Sequence, residues 1–267
     1  MTAPNLYDLP DEIRVEADGP VRIVTLNRPE DRNPASTAML FALTDLARRL
    51  DADEDARAVV ITGAGKAFSA GGDFQHFVRS SKEPEVSRAT LNNSRDFITA
   101  MLALRLPVVA AVNGAAVGFG ATLAALCDIV LISDEAFIAE PHVNIGLVLG
   151  DGISITWPLC MSLLKAKEYI LTGDRISAAD AVACGLANRV VAQADLMPEA
   201  LALAHRLAAQ PREALQQSKA VLNGYVQAQM ATTLETVLAL QFDRTQSAEH
   251  AAIVQGMIDR QKRHQPK

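Results

Sequence analysis

The sequence predicts an α/β protein in which helices cross over between parallel strands, followed by an all-helical C-terminal region. Apolar runs such as "AVVITG" and "VVAAV" alternate with segments of helical periodicity, and glycine-containing turns follow these runs. This alternation favours a parallel sheet, because parallel neighbours need long crossover connections. Beyond residue 191 the strand signals stop, and residues 196–263 are rich in alanine, leucine and glutamine. We expect one cooperative unit, with an α/β core over 1–205 and a helical region over 206–267.

The first elements are a hairpin and a capped helix. Apolar and polar residues alternate on both sides of Asp18-Gly19, which predicts a hairpin whose second strand covers 21–26 and stops before Pro29. Leucines and Met39 then recur at helical spacing over 36–50, and Ser36 can cap the start of this helix.

The later elements repeat the same alternation. "ARAVVITGAG", "PVVAAVNG", "DIVLIS" and residues 187–191 read as strands, with helices at 93–104 and 119–127 between them. Breaks at Pro211 and Gly224 divide the tail into three helices.

Composition and charge restrict the partners. The chain has 267 residues, is 49% hydrophobic and carries a net charge of −6, which argues against nucleic-acid or anionic-membrane surfaces. Its three cysteines form no CxxC pair, and they indicate reduced thiols in a cytoplasmic protein. The polar, acidic N-terminus does not resemble a secretory signal, and no apolar run reaches the roughly 18 residues of a membrane span. No histidine or cysteine set has metal-ligand spacing, so no metal is expected.

Two glycine-rich turns follow predicted strands and suggest an anion-binding site. They are "KAFSAGGDF" (66–74) and "NGAAVGFGATLAALCD" (113–128), and the second opens a helix. Glycines let the backbone approach a ligand closely and leave amide groups free to donate. Two such amides on one oxygen would form an oxyanion hole. Tight turns without a ligand are the alternative; neither a Walker A loop nor a dinucleotide fingerprint is complete.

These turns, with "LNRPEDRNPAS", "EPHVNIGLVLGDG" and "LTGDRISAADAVACGLANRVV", make the chain resemble the crotonase (enoyl-CoA hydratase/isomerase) superfamily over nearly its whole length. The resemblance implies a crotonase-like spiral of ββα units with a C-terminal helical region that forms homotrimers or hexamers. It also implies an acyl-CoA substrate, with coenzyme A as part of that substrate and no separate cofactor.

Carried over by position, the resemblance assigns the oxyanion amides to Ala70 and Phe119. It places a substrate-binding loop beside coenzyme A, and this loop contains Lys66, Ser69, Gly71, Gly72 and Asp73. Asp73 is also expected to be a helix cap, and Ser69 a turn residue instead of a nucleophile. Phe119 stands where glycine is usual, so its ring should point away from the oxygen. The pocket wall is expected to contain Phe119, Phe74, Phe77 and Trp157.

The sequence departs from the family at the catalytic positions. Where hydratases carry two glutamates, gap-free alignment puts Thr122 and His142. Threonine cannot act as a base near neutral pH, whereas a neutral imidazole can transfer protons. We predict that His142 is the acid–base residue and that Asp151 orients its ring, with Glu140 as the rival carboxylate because it shares a face with His142 in extended chain. His76 is a weaker candidate, and His205 and His250 on the helical tail are expected to be solvated.

Three functions follow from these residues. The first is hydration, dehydration or isomerisation of an acyl-CoA through a stabilised enolate. The second is hydrolytic C–C cleavage of a β-diketone or β-keto thioester, because His142, Asp151 and the "GDG…WP" run resemble the superfamily's β-diketone hydrolases. The third is a catalytically inactive oligomer with the same fold.

Overall fold

The computed structural model describes residues 6–150 and 152–264, the last four of these by their backbone alone. Its strands are β1 (Ile13–Asp18), β2 (Val21–Leu26), β3 (Ala58–Gly63), β4 (Ala67–Ser69), β5 (Val108–Val112), β6 (Ala115–Val117), β7 (Ile129–Ser133), β8 (Phe137–Ala139), β9 (Arg175–Ser177) and β10 (Arg189–Val191). Its α-helices are α1 (Thr37–Ala52), α2 (Phe74–Ser80), α3 (Pro84–Ala103), α4 (Phe119–Ala125), α5 (Ile153–Cys160), α6 (Leu163–Thr172), α7 (Ala178–Cys184), α8 (Leu196–Ala208), α9 (Arg212–Thr245) and α10 (Ala248–His264).

The larger sheet has the order β1-β2-β3-β5-β7-β10. β1 and β2 form the expected antiparallel hairpin, and Gly19 takes a left-handed φ of +57° in its turn. The other neighbours in this sheet are parallel, as the alternation of strands and helices predicts. α8 packs against one face of the sheet through Leu196, Ala200 and Ala204, and the other face belongs to the main core with α1 and α3.

A smaller sheet, in the order β4-β6-β8-β9, lies beyond the ends of the larger one. β4, β6 and β8 each follow a strand of the larger sheet directly along the chain, and each leads into a helix or a 3-10 turn. This strand–strand–helix unit is repeated three times. Because β4, β6 and β8 are parallel neighbours, the three segments that follow them meet at one edge.

The predicted helices hold with two differences. Ser36 caps α1 by accepting a hydrogen bond from the Met39 amide at 3.0 Å, as expected. α3 begins at Pro84, nine residues earlier than its apolar spacing indicates. The predicted break at Gly224 is wrong, because α9 continues through it to Thr245. A Cβ added to Gly224 would meet no other atom within 4 Å, so packing does not require a glycine there. No helix among residues 6–150 and 152–264 is long and apolar enough to cross a membrane.

Candidate active site

A cavity of about 310 Å³ lies where the segments after β4, β6 and β8 meet. Its wall includes Ala70, Gly71 and Gly72 from the first segment, Gly118 and Phe119 from the second, and His142 from the third. α3 and α9 supply a further wall.

Gly71 and Gly118 bring the first two segments into direct contact. Gly71 has a φ of +96°, and a Cβ added to it would lie 2.9 Å from the Val117 carbonyl oxygen. Gly118 has a φ of +51°, and its amide donates to the Ala139 carbonyl at 2.9 Å. Side chains at either glycine would strain the backbone, and one at Gly71 would also collide with its neighbour. The close approach to Val117 together with the left-handed φ therefore explains Gly71, and the left-handed φ alone explains Gly118.

The amides available in this region differ from the pair expected. The Ala70 amide already donates to the Arg32 carbonyl at 2.9 Å, so its assignment to the oxyanion hole is wrong. The Gly71 amide contacts Ser69 Oγ at 3.3 Å. Among the described residues, the amides of Gly72 and Phe119 have no hydrogen-bond partner. Both residues line the cavity, and Phe119 is the first residue of α4, where the helix dipole adds positive potential.

The sequence places Gly72 in the substrate-binding loop but does not single out its amide, because the choice between neighbouring amides depends on a distant segment. Ala70 loses its free amide to Arg32, and Ala35 pairs with the chain around Gly72 through the amide of Asp73. No local pattern in "SAGGD" encodes these partners.

The aromatic residues only partly match the expected pocket wall. Phe119 is buried, and its ring stacks at a tilt on Phe97 with centroids 5.4 Å apart, while Phe77 also lines the cavity. Trp157 does not: it is fully buried in the core on α5, so its assignment as a substrate-binding residue is wrong. Phe74 is likewise absent from the wall.

Asp73 and Ser69 have structural contacts. Asp73 caps α2, accepting from the Gln75 amide at 2.8 Å and from Arg28 Nη1 at 2.7 Å. Burial opposes ionisation of Asp73, but the hydrogen bonds from Arg28 and Gln75 outweigh it, and its pKa is lowered. Ser69 is fully buried in β4, and Lys66 is exposed outside the cavity wall. The expected cap is thus present, and Ser69 is not placed as a nucleophile.

His142 lies beside the glycine turns and contacts a buried carboxylate. Its Cε1 lies 3.7 Å from a Cβ position built on Gly118, and its side chain is 13% exposed. Its Nδ1 makes a very short contact with Glu140 Oε1, and its backbone amide donates to the same oxygen at 3.2 Å. Glu140 is 1% exposed, and its Oε2 is buried without a hydrogen-bond partner in the described part of the chain. An imidazole–carboxylate pair thus faces the edge of the cavity at which Gly118 lies.

Asp151 lies outside the described residues. Its two neighbours are described: Gly150 lines the cavity, and a Cβ added to Gly152 would lie 3.1 Å from Thr122 Cγ2.

Comparison with known proteins agrees with this architecture. The family model described as enoyl-CoA hydratase/isomerase matches residues 16–266. The chain belongs to this enoyl-CoA hydratase/isomerase family. A crystal structure of an enoyl-CoA hydratase/isomerase from Mycobacterium paratuberculosis superposes with a TM-score of 0.91 at 45% identity, covering 94% of this chain and all (100%) of that one. The fold is therefore the crotonase-like fold that the sequence predicts.

Of two further relatives, one is named a hydratase and the other an isomerase. A protein named probable enoyl-CoA hydratase from Mycobacterium leprae is 35% identical over 229 residues, covering 84% of this chain and 86% of its own. A structure titled monofunctional enoyl CoA isomerase from M. smegmatis has a TM-score of 0.70 at 30% identity and covers 82% of this chain and 95% of that one.

Thr122, which the resemblance places where hydratases carry their first glutamate, is sealed from the cavity. Thr122 is 1% exposed, does not line the cavity, and its Oγ1 is buried without a partner among the described residues. The neighbouring Gly152 packs over it. Thr122 therefore has no access to a ligand in the cavity.

The remaining histidines differ in environment. His76 lines the cavity, bonds through Nδ1 to Thr37 Oγ1 at 3.0 Å, and has a pKa lowered by burial. His205 is half-buried on α8, and its Nε2 contacts Asp18 Oδ2 at 2.8 Å. His250, expected to be solvated, is fully buried, and its Nδ1 contacts the Ile145 carbonyl oxygen at 2.7 Å. Among the described residues, no group of three or more potential ligands could hold a metal ion.

Proposed function

We propose that this chain is an enzyme that binds an acyl-CoA thioester and stabilises its enolate with the amides of Gly72 and Phe119. His142 moves the α-proton, and Glu140 orients its ring and stabilises the imidazolium formed during turnover. The observation that carries the proposal is the position of His142: its imidazole lies against Gly118, next to both unpartnered amides, with Nδ1 on a buried carboxylate. Asp151 is proposed as a second carboxylate of this centre, because Gly150 lines the same cavity.

The titratable groups favour chemistry that needs one proton-transfer centre. His76 and His142 are the titratable side chains on the described part of the cavity wall, and Thr122 has no access to it. On the described part of the cavity wall, no pair of carboxylates is present for hydration. Isomerisation needs one group that takes a proton from one carbon and returns it to another, and a histidine suffices for that. We therefore place isomerisation ahead of hydration or dehydration.

Exchange of the α-protons of saturated acyl-CoAs in D2O tests the proposal, because exchange requires only enolate formation. Wild type should exchange, and His142→Ala should reduce the rate by about 10²–10⁴-fold. The rate should also fall as the pH drops, since protonation removes the basic imidazole. His205→Ala is the matched control, because His205 lies on α8, outside the cavity wall. Exchange at the wild-type rate in His142→Ala would contradict the assignment.

Hydrolytic C–C cleavage is a second candidate, and the imidazole–carboxylate pair favours it. The same pair that abstracts a proton could activate water, and the two amides could hold the departing enolate of a β-diketone. Incubation with cyclic β-diketones followed by mass spectrometry tests this candidate, and the expected product is the ring-opened acid. If the folded protein is inactive with both substrate classes, the remaining hypothesis is a catalytically inactive oligomer of the same fold.

The proposal extends to assembly and location. Large apolar side chains are exposed on two helices: Leu164 and Leu171 on α6, and Val221, Leu222 and Tyr225 on α9. Such surface is covered when copies associate, which supports the homotrimer or hexamer expected for the helical region at 206–267. The loop around Lys66 remains our proposed path for coenzyme A, and the cytoplasm remains the proposed compartment.

A further inference from the structure

One wall of the cavity is polar, although an unsubstituted fatty acyl group would need only apolar contacts. α3 presents Ser87, Thr90 and Ser94 to the cavity at helical spacing, so their side chains share one face. α9 presents Gln241 and Thr245.

Contacts between the two helices place these groups opposite one another. The guanidinium of Arg88 lies over the ring of Phe242, with 5.0 Å from Cζ to the ring centroid, and Arg95 Nε pairs with Glu235 at 2.6 Å. A step of one residue forward along α3 thus corresponds to one residue backward along α9, so the helices are antiparallel. This register places Gln241 level with the turn from Ser87 to Thr90.

Most hydroxyl groups of this wall have already used their protons. Each donates to a carbonyl of its own helix, which leaves oxygen lone pairs as the free polar groups: Thr90 to Val86 at 2.9 Å, Ser94 to Thr90 at 3.1 Å and Thr245 to Gln241 at 2.8 Å. Ser87 makes no side-chain hydrogen bond among the described residues. The wall therefore offers an excess of acceptors, and a ligand that fits it should supply a donor.

Gln241 is the least satisfied member of the wall. It is 8% exposed, its Oε1 is buried without a partner, and its Nε2 has no partner among the described residues either. Its side-chain carbons pack against Gly150, where a Cβ would lie 2.6 Å from Gln241 Cγ, so the amide is held in place. A buried amide oxygen without a partner is unfavourable, and the Nε2 group of the same amide is left to donate to a bound ligand.

We propose that the substrate's acyl group carries a neutral hydroxyl group that binds between α3 and α9, with Gln241 as the residue that selects it. A hydroxyl accepts from an amide nitrogen and donates to one of the acceptor oxygens, so it satisfies both sides of the wall at once. No acidic side chain lines this part of the cavity in the described chain, so a cationic group would lack a counter-charge. The proposal rests on the proposed function, because it assumes that the acyl group enters the cavity.

Calorimetric binding of unreactive coenzyme A thioethers tests the proposal without requiring turnover. S-(ω-hydroxyalkyl)-CoA is compared with the S-alkyl-CoA in which a methyl group replaces the hydroxyl, over a series of chain lengths. At the best length, wild type should bind the hydroxylated compound at least about tenfold more tightly. Gln241→Met, which keeps the length of the side chain, should remove this preference. Gln229→Met, an exposed substitution on the same helix, should retain it.

The possible results distinguish the hydroxyl-binding proposal from the proposed acyl-CoA function. Binding of both compounds without a preference in wild type contradicts the hydroxyl proposal alone, even if Gln241→Met fails to fold. Persistence of the preference in a folded Gln241→Met variant removes Gln241 from its role. Failure of every thioether to bind contradicts the proposed acyl-CoA function and the inference together.

Discussion

Substitution of Phe119 by proline removes one proposed oxyanion donor with little expected disturbance of the fold. Phe119 is the first residue of α4, a position where proline is favoured, and its amide makes no hydrogen bond in the described structure that would be lost. Gly118 precedes it with φ +51° and ψ −112°. This is the mirror image of the extended conformation that a residue before proline adopts, and glycine can adopt either conformation. The substitution therefore tests the amide itself.

The magnitude follows from the loss of one donor out of two. Removal of one oxyanion-hole donor costs about 2.7–4 kcal/mol of transition-state stabilisation, which is about 10²–10³-fold in kcat. Proline also removes the aromatic ring that stacks on Phe97, so Phe119→Ala is the matched control: it loses the same ring but keeps the amide. Loss of a buried phenylalanine ring costs about 3–5 kcal/mol of folding stability, and both variants share that cost.

The assay compares the two variants with each other. Thermal unfolding should give similar midpoints for Phe119→Pro and Phe119→Ala, while α-proton exchange should be about 10²-fold or more slower in the proline variant. Equal exchange rates in the two variants, with both folded, would show that the Phe119 amide does not hold the developing oxyanion. Unfolding of the proline variant alone would instead contradict the assignment of a free N-terminal amide at this position.

Three further predictions concern the acid–base pair, its support and acid stability. Glu140→Gln should leave acyl-CoA binding unchanged but lower kcat by at least about tenfold, measured by exchange, because a neutral amide does not stabilise the imidazolium of His142. His250→Leu should lower kcat more than His250→Asn, in which the amide nitrogen can replace the donor to the Ile145 carbonyl in the turn that carries His142; equal kcat values in these two variants would remove this positioning role. Burial opposes ionisation of Asp53, but hydrogen bonds from its neighbours lower its pKa from 3.8 to about 2, so its stabilising contribution is present above pH 3.8 and lost as pH falls towards 2. When the pH is lowered from 3.8 to 2, the free energy of unfolding measured in urea should therefore fall less for Asp53→Asn than for wild type.

Local chemistry encodes much of the fold, which is why the hairpin and the caps could be predicted. The strand at Val21–Leu26 has the expected bounds, and Ser36 and Asp73 cap helices as their positions indicate. The break expected at Gly224 failed for a physical reason. A glycine weakens a helix by only about 1 kcal/mol relative to alanine, and α9 gains more than this from packing along α3 and α5.

The site was less predictable because it depends on contacts between distant segments. His142 could be found from its position in the family pattern, but its contact with Glu140 follows from the turn after β8, in which Pro141 separates the two residues without directing them to opposite faces. The amide pattern at Ala70 and Gly72 depends on Arg32 and Ala35, which no local spacing reveals. Trp157 illustrates the opposite error, since an aromatic residue near a motif is more often part of the core.

Under the proposed function, threonine at position 122 and histidine at position 142 are physically connected. Thr122 is shorter than a glutamate, and Gly152 packs over it, so a carboxylate at this place would need Gly152 to move outward. In the proposed isomerisation, His142 would then take the proton as a base and return it as an acid. A carboxylate is a weak base near neutral pH unless its pKa is raised, whereas an imidazole has its ordinary pKa near 6.5 and can serve in both directions. We therefore propose that the imidazole of His142 serves as this single centre and that the buried carboxylate of Glu140, which contacts its Nδ1, supports its charged form.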